Sequence, residues 1–178
     1  MLGNFSNPSQ ILEEVGVSKG LVVADFGAGS GPYTFSVARI TGMEGKVYAL
    51  EVQKDLVEKL KSEAEKNHLT NVSPIWCNIE KIGGTKIADN VIDLAIVANV
   101  FFQIEDKKTF LKELFRVLKP NGKVLFIDWS DSYGGMGPAP TSVVRETDAI
   151  SIFSQNGFKN DRNVNAGGHH YGIIFGKN

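Results

Sequence analysis

Leu21–Pro32, LVVADFGAGSGP, decides how the rest of the chain is read. Its apolar opening, Leu21–Ala24, has the make-up of a buried strand, and Asp25 closes it. Gly27, Gly29 and Gly31 then alternate with small residues, and a helical pattern follows. Strand, glycine turn and helix form the phosphate- or nucleoside-binding half of an α/β fold. A residue without Cβ takes positive φ in the turn and lets a ligand approach the backbone. The helix that follows begins with free N–H groups near that ligand.

The spacing separates the ligands. In a dinucleotide fingerprint, G-x-G-x-x-G, counting from Gly27 puts the last glycine at position 32, which is Pro32. The chain instead reads D-x-G-x-G-x-G over Asp25, Gly27, Gly29 and Gly31. An acid at the strand's end suits a cation better than a pyrophosphate, and S-adenosylmethionine carries an ammonium, a sulfonium and no phosphate. The pattern resembles motif I of the class I S-adenosylmethionine-dependent methyltransferases. A second strand, Lys46–Leu50, ends at Glu51, 20 residues beyond Gly31. An acid there can accept the hydroxyls of an adenosine ribose.

The remaining chain alternates in the same way. Ser9 is placed as the cap of a helix through Val15 that either covers the cofactor or packs at the sheet edge. Pro32 opens a helix to about Ile40. Residues 54–66 read as a helix with one apolar stripe, Leu56, Leu60 and Ala64, and Val72–Trp76 as a third strand. A loop over Lys81–Asn90 precedes Val91–Ala98, whose continuous apolar run suits a central parallel strand. Asp106 caps a helix over 107–118, and Pro120-Asn121-Gly122 turns the chain into the strand Lys123–Ile127. Ser130–Pro140 is irregular; a helix over Thr141–Gln155 and a strand pair, Phe158–Val164 and Tyr171–Phe175, complete the chain. The string LKELFRVLKPNGKVLFIDW closely resembles the helix–turn–strand of many small-molecule methyltransferases.

With 178 residues the chain reads as one domain, 1–178: a cover segment over 1–19, a cofactor-binding core over 20–130, and a loop, helix and strand pair over 131–178. A net charge of −1 argues against a general grip on nucleic acid or anionic membrane. No apolar run approaches a membrane span, and the lone Cys77 excludes an intrachain disulfide. The expectation is a soluble cytoplasmic protein. His169 and His170 are adjacent in a strand and point to opposite faces, so no shared metal is expected.

The resemblance implies a Rossmann-like three-layer sandwich around a mostly parallel seven-stranded sheet, order 3-2-1-4-5-7-6, with the last strand antiparallel. The likeness is greatest to the group that includes ubiquinone and menaquinone biosynthesis enzymes. It implies S-adenosyl-L-methionine as cofactor and S-adenosyl-L-homocysteine as product. The implied cofactor residues are Asp25, Gly27, Ala28, Gly29, Gly31, Glu51, Val52, Asn78, Ile79 and Asn99. Asn78 stands where the family often has an aspartate that accepts from the adenine amine; its amide oxygen can accept too. Phe101, Phe102, Asp128, Trp129 and His169 are candidates for the acceptor side, with Asp128, His169 and His170 the acid–base candidates. No residue is assigned as catalytic, because the cofactor brings its own activated methyl group. The acceptor is expected to be a small molecule, in an open site closed by the 130–140 loop, a large acceptor or a second subunit of a homodimer. Two other readings stand beside this one: a nicotinamide-dependent oxidoreductase, against which Pro32 weighs, and a non-catalytic adenosyl-binding module on the same scaffold.

Overall fold

The computed structural model describes residues 7–178. Seven strands form one sheet in the order β3-β2-β1-β4-β5-β7-β6. They are β1 (Val22–Phe26), β2 (Lys46–Glu51), β3 (Val72–Trp76), β4 (Ile92–Ala98), β5 (Leu118–Trp129), β6 (Phe158–Val164) and β7 (His170–Lys177). The first five run parallel, and β7 is antiparallel to both β5 and β6. The topology expected from the resemblance is therefore the one observed. The helices are α1 (Pro8–Val15), α2 (Pro32–Thr41), α3 (Lys54–Lys66), α4 (Lys107–Val117) and α5 (Glu146–Ser154). Among the described residues no helix is long and apolar enough to cross a membrane.

Alternation along the strands sorts the side chains into two cores. Val23, Leu94, Ile96, Leu125 and Ile127 face Ile11 and Leu12 of α1 and Val37 and Ala38 of α2. Ala24, Phe26, Val97, Phe126 and Phe175 face Phe110, Leu111 and Leu114 of α4 and Phe153 of α5. Neither layer is stable alone, because each helix buries only one apolar stripe. The second core is aromatic: Phe153 stacks on Phe175 with centroids 4.1 Å apart and meets Phe126 edge-on at 5.0 Å.

Three boundaries differ from the sequence reading. Asn7, not Ser9, caps α1: its side chain accepts Ser9 N–H, and Pro8 takes the first turn, where no N–H is needed. α1 packs on α2 and β6, and residues 1–6 of the expected cover segment lie outside the described residues. Lys119–Gly122 is an excursion within one long strand: β5 pairs Leu118 with Ile92, then Lys123 with Leu94, and Asn121 absorbs the detour at φ 63°. α5 starts at Glu146 because Val143 is extended and Tyr171 Oη donates to the Val144 carbonyl at 2.8 Å. One buried charge was not foreseen. Glu113 accepts Gly83 N–H, Thr85 N–H, Thr85 Oγ1 and two Arg116 nitrogens. Burial works against its charge, but these donors outweigh it and hold the pKa down at about 2.

Phe153→Ala should empty the centre of the aromatic core and lower the unfolding free energy by about 3–5 kcal/mol, measured by denaturant titration.

Candidate active site

The parallel strands end together along one rim, and the glycine turn after β1 lies there. Gly27, Gly29 and Gly31 all have positive φ (79°, 56° and 87°). Each has a separate reason for lacking a Cβ. At Gly27 a Cβ would lie 2.6 Å from Val100 Cγ2, and at Gly31 it would lie 2.5 Å from Phe35 Cε2. Gly29 has nothing within 4 Å, so its bare backbone faces open space. Gly27 and Ala28 donate their N–H groups to the Leu50 carbonyl at 2.9 and 3.0 Å, which straps the turn to β2.

Glu51, buried at the end of β2, completes the strap. Its Oε2 accepts Gly29 N–H at 3.0 Å, and its Oε1 accepts Val52 and Gln53 N–H at 2.8 and 2.9 Å. Three of the roughly four acceptor directions of a carboxylate are thereby used, and one on Oε2 remains. Beside this strap lies a cleft of about 480 Å³, within the range of small-molecule sites. Gly27, Ala28, Gly29, Glu51, Val52, Asn78, Ile79 and Asn99 all line it. Eight of the ten residues implied by the resemblance are thus brought together.

Asp25 and Gly31 do not line the cleft. Asp25 faces α2, where Thr34 Oγ1 donates to its Oδ2 at 2.6 Å. Burial pushes its pKa up to about 6 against the Thr34 hydrogen bonds, and the nearby Glu51 charge adds to the rise. Asn78 is at the rim, and its Oδ1 accepts Glu80 N–H at 2.8 Å in a local turn. Asn99 takes φ 56°, and its Oδ1 is buried without a hydrogen-bond partner. Such an atom is costly unless a ligand satisfies it. Gln103, Gln53, Ser30 and Ile104 also line the cleft and were not singled out in the sequence. Ser30 had a local signal, its place inside the glycine turn, and Gln103 had one in following Asn99 by four residues.

The acceptor-side candidates lie elsewhere. Phe101 is fully buried between Phe110, Phe126 and Phe153, so it is a core residue and not a wall of the site. Asp128 is also fully buried; it accepts Phe102 N–H at 3.2 Å and Trp129 N–H at 2.9 Å. Burial raises its pKa to about 6 against those two donors. This carboxyl braces the turn at 101–103, and Phe102 is its partner through the backbone. Trp129 lies against His170, centroids 4.2 Å apart, and under Gly137. His169 stacks on Tyr133. None of these five lines the cleft.

The model of the methyltransferase-domain family matches residues 17–171. The chain belongs to the class I S-adenosylmethionine-dependent methyltransferases. The structure of an S-adenosylmethionine-dependent methyltransferase from Aquifex aeolicus is 31% identical and superposes with a TM-score of 0.89 over 97% of this chain and 90% of that one. A demethylmenaquinone methyltransferase of Lactococcus lactis is 32% identical over 130 residues, 68% of this chain and 47% of that protein. Another, from a Geobacillus strain, is 29% identical over 119 residues, 67% of this chain and 50% of that protein. The chain spans about half the length of these curated relatives.

The cleft fits the family's cofactor on its own evidence: an open backbone at Gly29, an acid at the end of β2 with an acceptor direction to spare, and the orphaned Asn99 oxygen.

Gly27→Ala should lower stability by about 1–3 kcal/mol through the Val100 clash, measured by thermal unfolding, with Gly29→Ala the smaller loss. A second expectation concerns pH. The folded protein keeps a proton on Asp25 that the unfolded chain releases near pH ~4. That contribution to stability is complete below this pH and lost as pH rises through about 6. The ligand-free protein should therefore lose stability relative to Asp25→Asn between these limits, in denaturant titrations at each pH.

Proposed function

We propose that this chain transfers the methyl group of S-adenosylmethionine to a small-molecule acceptor, with the cofactor in the cleft beside the glycine turn. The observation that carries the reading is Glu51: it grips Gly29 N–H across the turn and keeps one acceptor direction toward the cleft. When bound, the cofactor supplies a methyl group already activated on a sulfonium. The chain's work is to hold and align. Glu51 accepts a ribose hydroxyl on Oε2, and a second hydroxyl only if Gly29 N–H lets go. Val52 packs on the adenine. Ile79 and Asn78 address its edge, Asn78 with the lone pair left by Glu80 N–H or with its Nδ2 hydrogens. The backbone of Gly27, Ala28 and Gly29 leaves room for the close approach. Asn99 Oδ1 takes the ammonium of the methionine portion, which satisfies an otherwise orphaned oxygen. Asp25 acts at one remove, by fixing α2 against the end of β1, and Gly31 by starting α2.

Two relatives are named for demethylmenaquinone as acceptor; we extend to this chain only a small molecule as the acceptor class. Exposed Gln53, Asn78 and Gln103 at the rim support an entrance open to solvent. The 130–140 segment or a second copy of the chain would close it. Cys77 is buried, and burial pushes its thiol up to about 11, so it packs rather than reacts. We assign the cytoplasm as compartment.

Glu51→Ala should weaken S-adenosylhomocysteine binding by about 1–3 kcal/mol, read by calorimetry, with Glu51→Gln between it and the unaltered chain. Unchanged affinity in both variants would remove Glu51 from the site.

A further inference from the structure

The cleft wall holds a second carboxylate, Glu80, with an oxygen to spare. It stands two residues past Asn78, in the turn that leaves β3, and it is half-buried. Its Oε2 accepts the N–H groups of Glu105 and Asp106, both at 2.9 Å. Asp106 is the N-cap of α4, so this carboxylate ties the end of β3 to the start of α4. Gln103 and Ile104, just ahead of that tie, line the same cleft. Glu80 Oε1 has no hydrogen bond or ion pair among the described residues.

The neighbouring Asn78 is differently placed. Glu80 N–H donates to its Oδ1 at 2.8 Å. An N–H needs an acceptor, so the amide must turn its oxygen into the turn and leave Nδ2 over. The turn thus offers the cleft an amide oxygen already engaged and a carboxylate oxygen wholly unspent.

We propose that Glu80 Oε1 accepts the exocyclic amine of the cofactor's adenine and so selects a 6-amino purine over a 6-oxo purine. This assignment rests on the methyltransferase reading above and deepens it. A carboxylate is a stronger acceptor than a neutral amide oxygen that already holds one N–H. Two backbone N–H groups fix the Glu80 side chain beforehand, so little freedom is lost when the base arrives. A 6-oxo base would turn a carbonyl oxygen toward that carboxylate, with no hydrogen between the two acceptors. Asn78 then meets the base edge with its Nδ2 hydrogens. The two acids of the cleft divide the nucleoside: Glu51 takes the sugar and Glu80 the base.

The test is calorimetry on the full chain with S-adenosylhomocysteine and with S-inosylhomocysteine, which carries a carbonyl where the first carries the amine. The unaltered chain should bind S-adenosylhomocysteine about 10–100-fold more tightly. In Glu80→Gln the side-chain oxygen must stay with the Glu105 and Asp106 N–H groups, so the new NH2 takes the place of Oε1. A donor then stands where an acceptor stood, and the preference should shrink to a few-fold or reverse. A Glu80 that only braced α4 would weaken both ligands alike and leave their ratio unchanged. That unchanged ratio, or the absence of any preference in the unaltered chain, would overturn the assignment. If Glu80→Gln fails to fold, Asn78→Ala decides: a kept ratio leaves the amine with Glu80, and a lost one hands it to Asn78. A chain that binds neither ligand would remove the methyltransferase reading beneath.

Discussion

The carboxylate of Glu51 holds the site in shape. A turn with three residues at positive φ and no side chain to anchor it has little to hold it beyond its own backbone. Two N–H groups of that turn are tied to Leu50 and a third to Glu51, so the end of β2 fixes the conformation at the end of β1. The same carboxylate gathers the first two N–H groups after β2, where the chain turns toward α3. One buried acid thereby joins two strand ends, and the cleft lies beside them. The carboxylate is placed in advance, which lowers the cost of ordering the site on binding.

Other acids work in the same way at greater depth. Asp25 clamps α2 through Thr34, Asp128 clamps the turn after β4 through Phe102, and Glu113 clamps the loop at 81–90 through Thr85. The outcome for each is set by its donors. Asp25 and Asp128 have few and are pushed toward neutrality, whereas Glu113 has Arg116 and three further donors and remains charged.

What was legible in the sequence follows from local chemistry. Lys46–Glu51, Lys54–Lys66 and Val72–Trp76 were readable because periodicity and turn residues agreed over each span. The cleft was readable because its residues sit at strand ends spaced by a repeating βα unit. Long-range contacts were less so. Whether Phe101 lines a wall or fills a core depends on Phe110, Phe126 and Phe153, which come from α4, β5 and α5. Asp25 reads as a site acid, yet strand alternation turns it onto the α2 face, where the side chain of Thr34 is waiting. Glu113 looks like one more surface charge of a Lys- and Glu-rich helix until the loop at 83–85 closes over it. The stretch Lys119–Gly122 carries a strong turn signal, but pairing of Leu118 with Ile92 carries the strand through it.

The chain has two tryptophans, and the fold places them on opposite flanks of the rim. Trp76, half exposed at the end of the edge strand β3, donates its Nε1–H to the carbonyl of Val52, a residue of the cleft wall. Trp129 is wedged at β5 between an imidazole and a glycine. The molecule therefore carries two native fluorophores in unlike surroundings, one beside the cleft wall and the other beside the rings of the 130–140 segment.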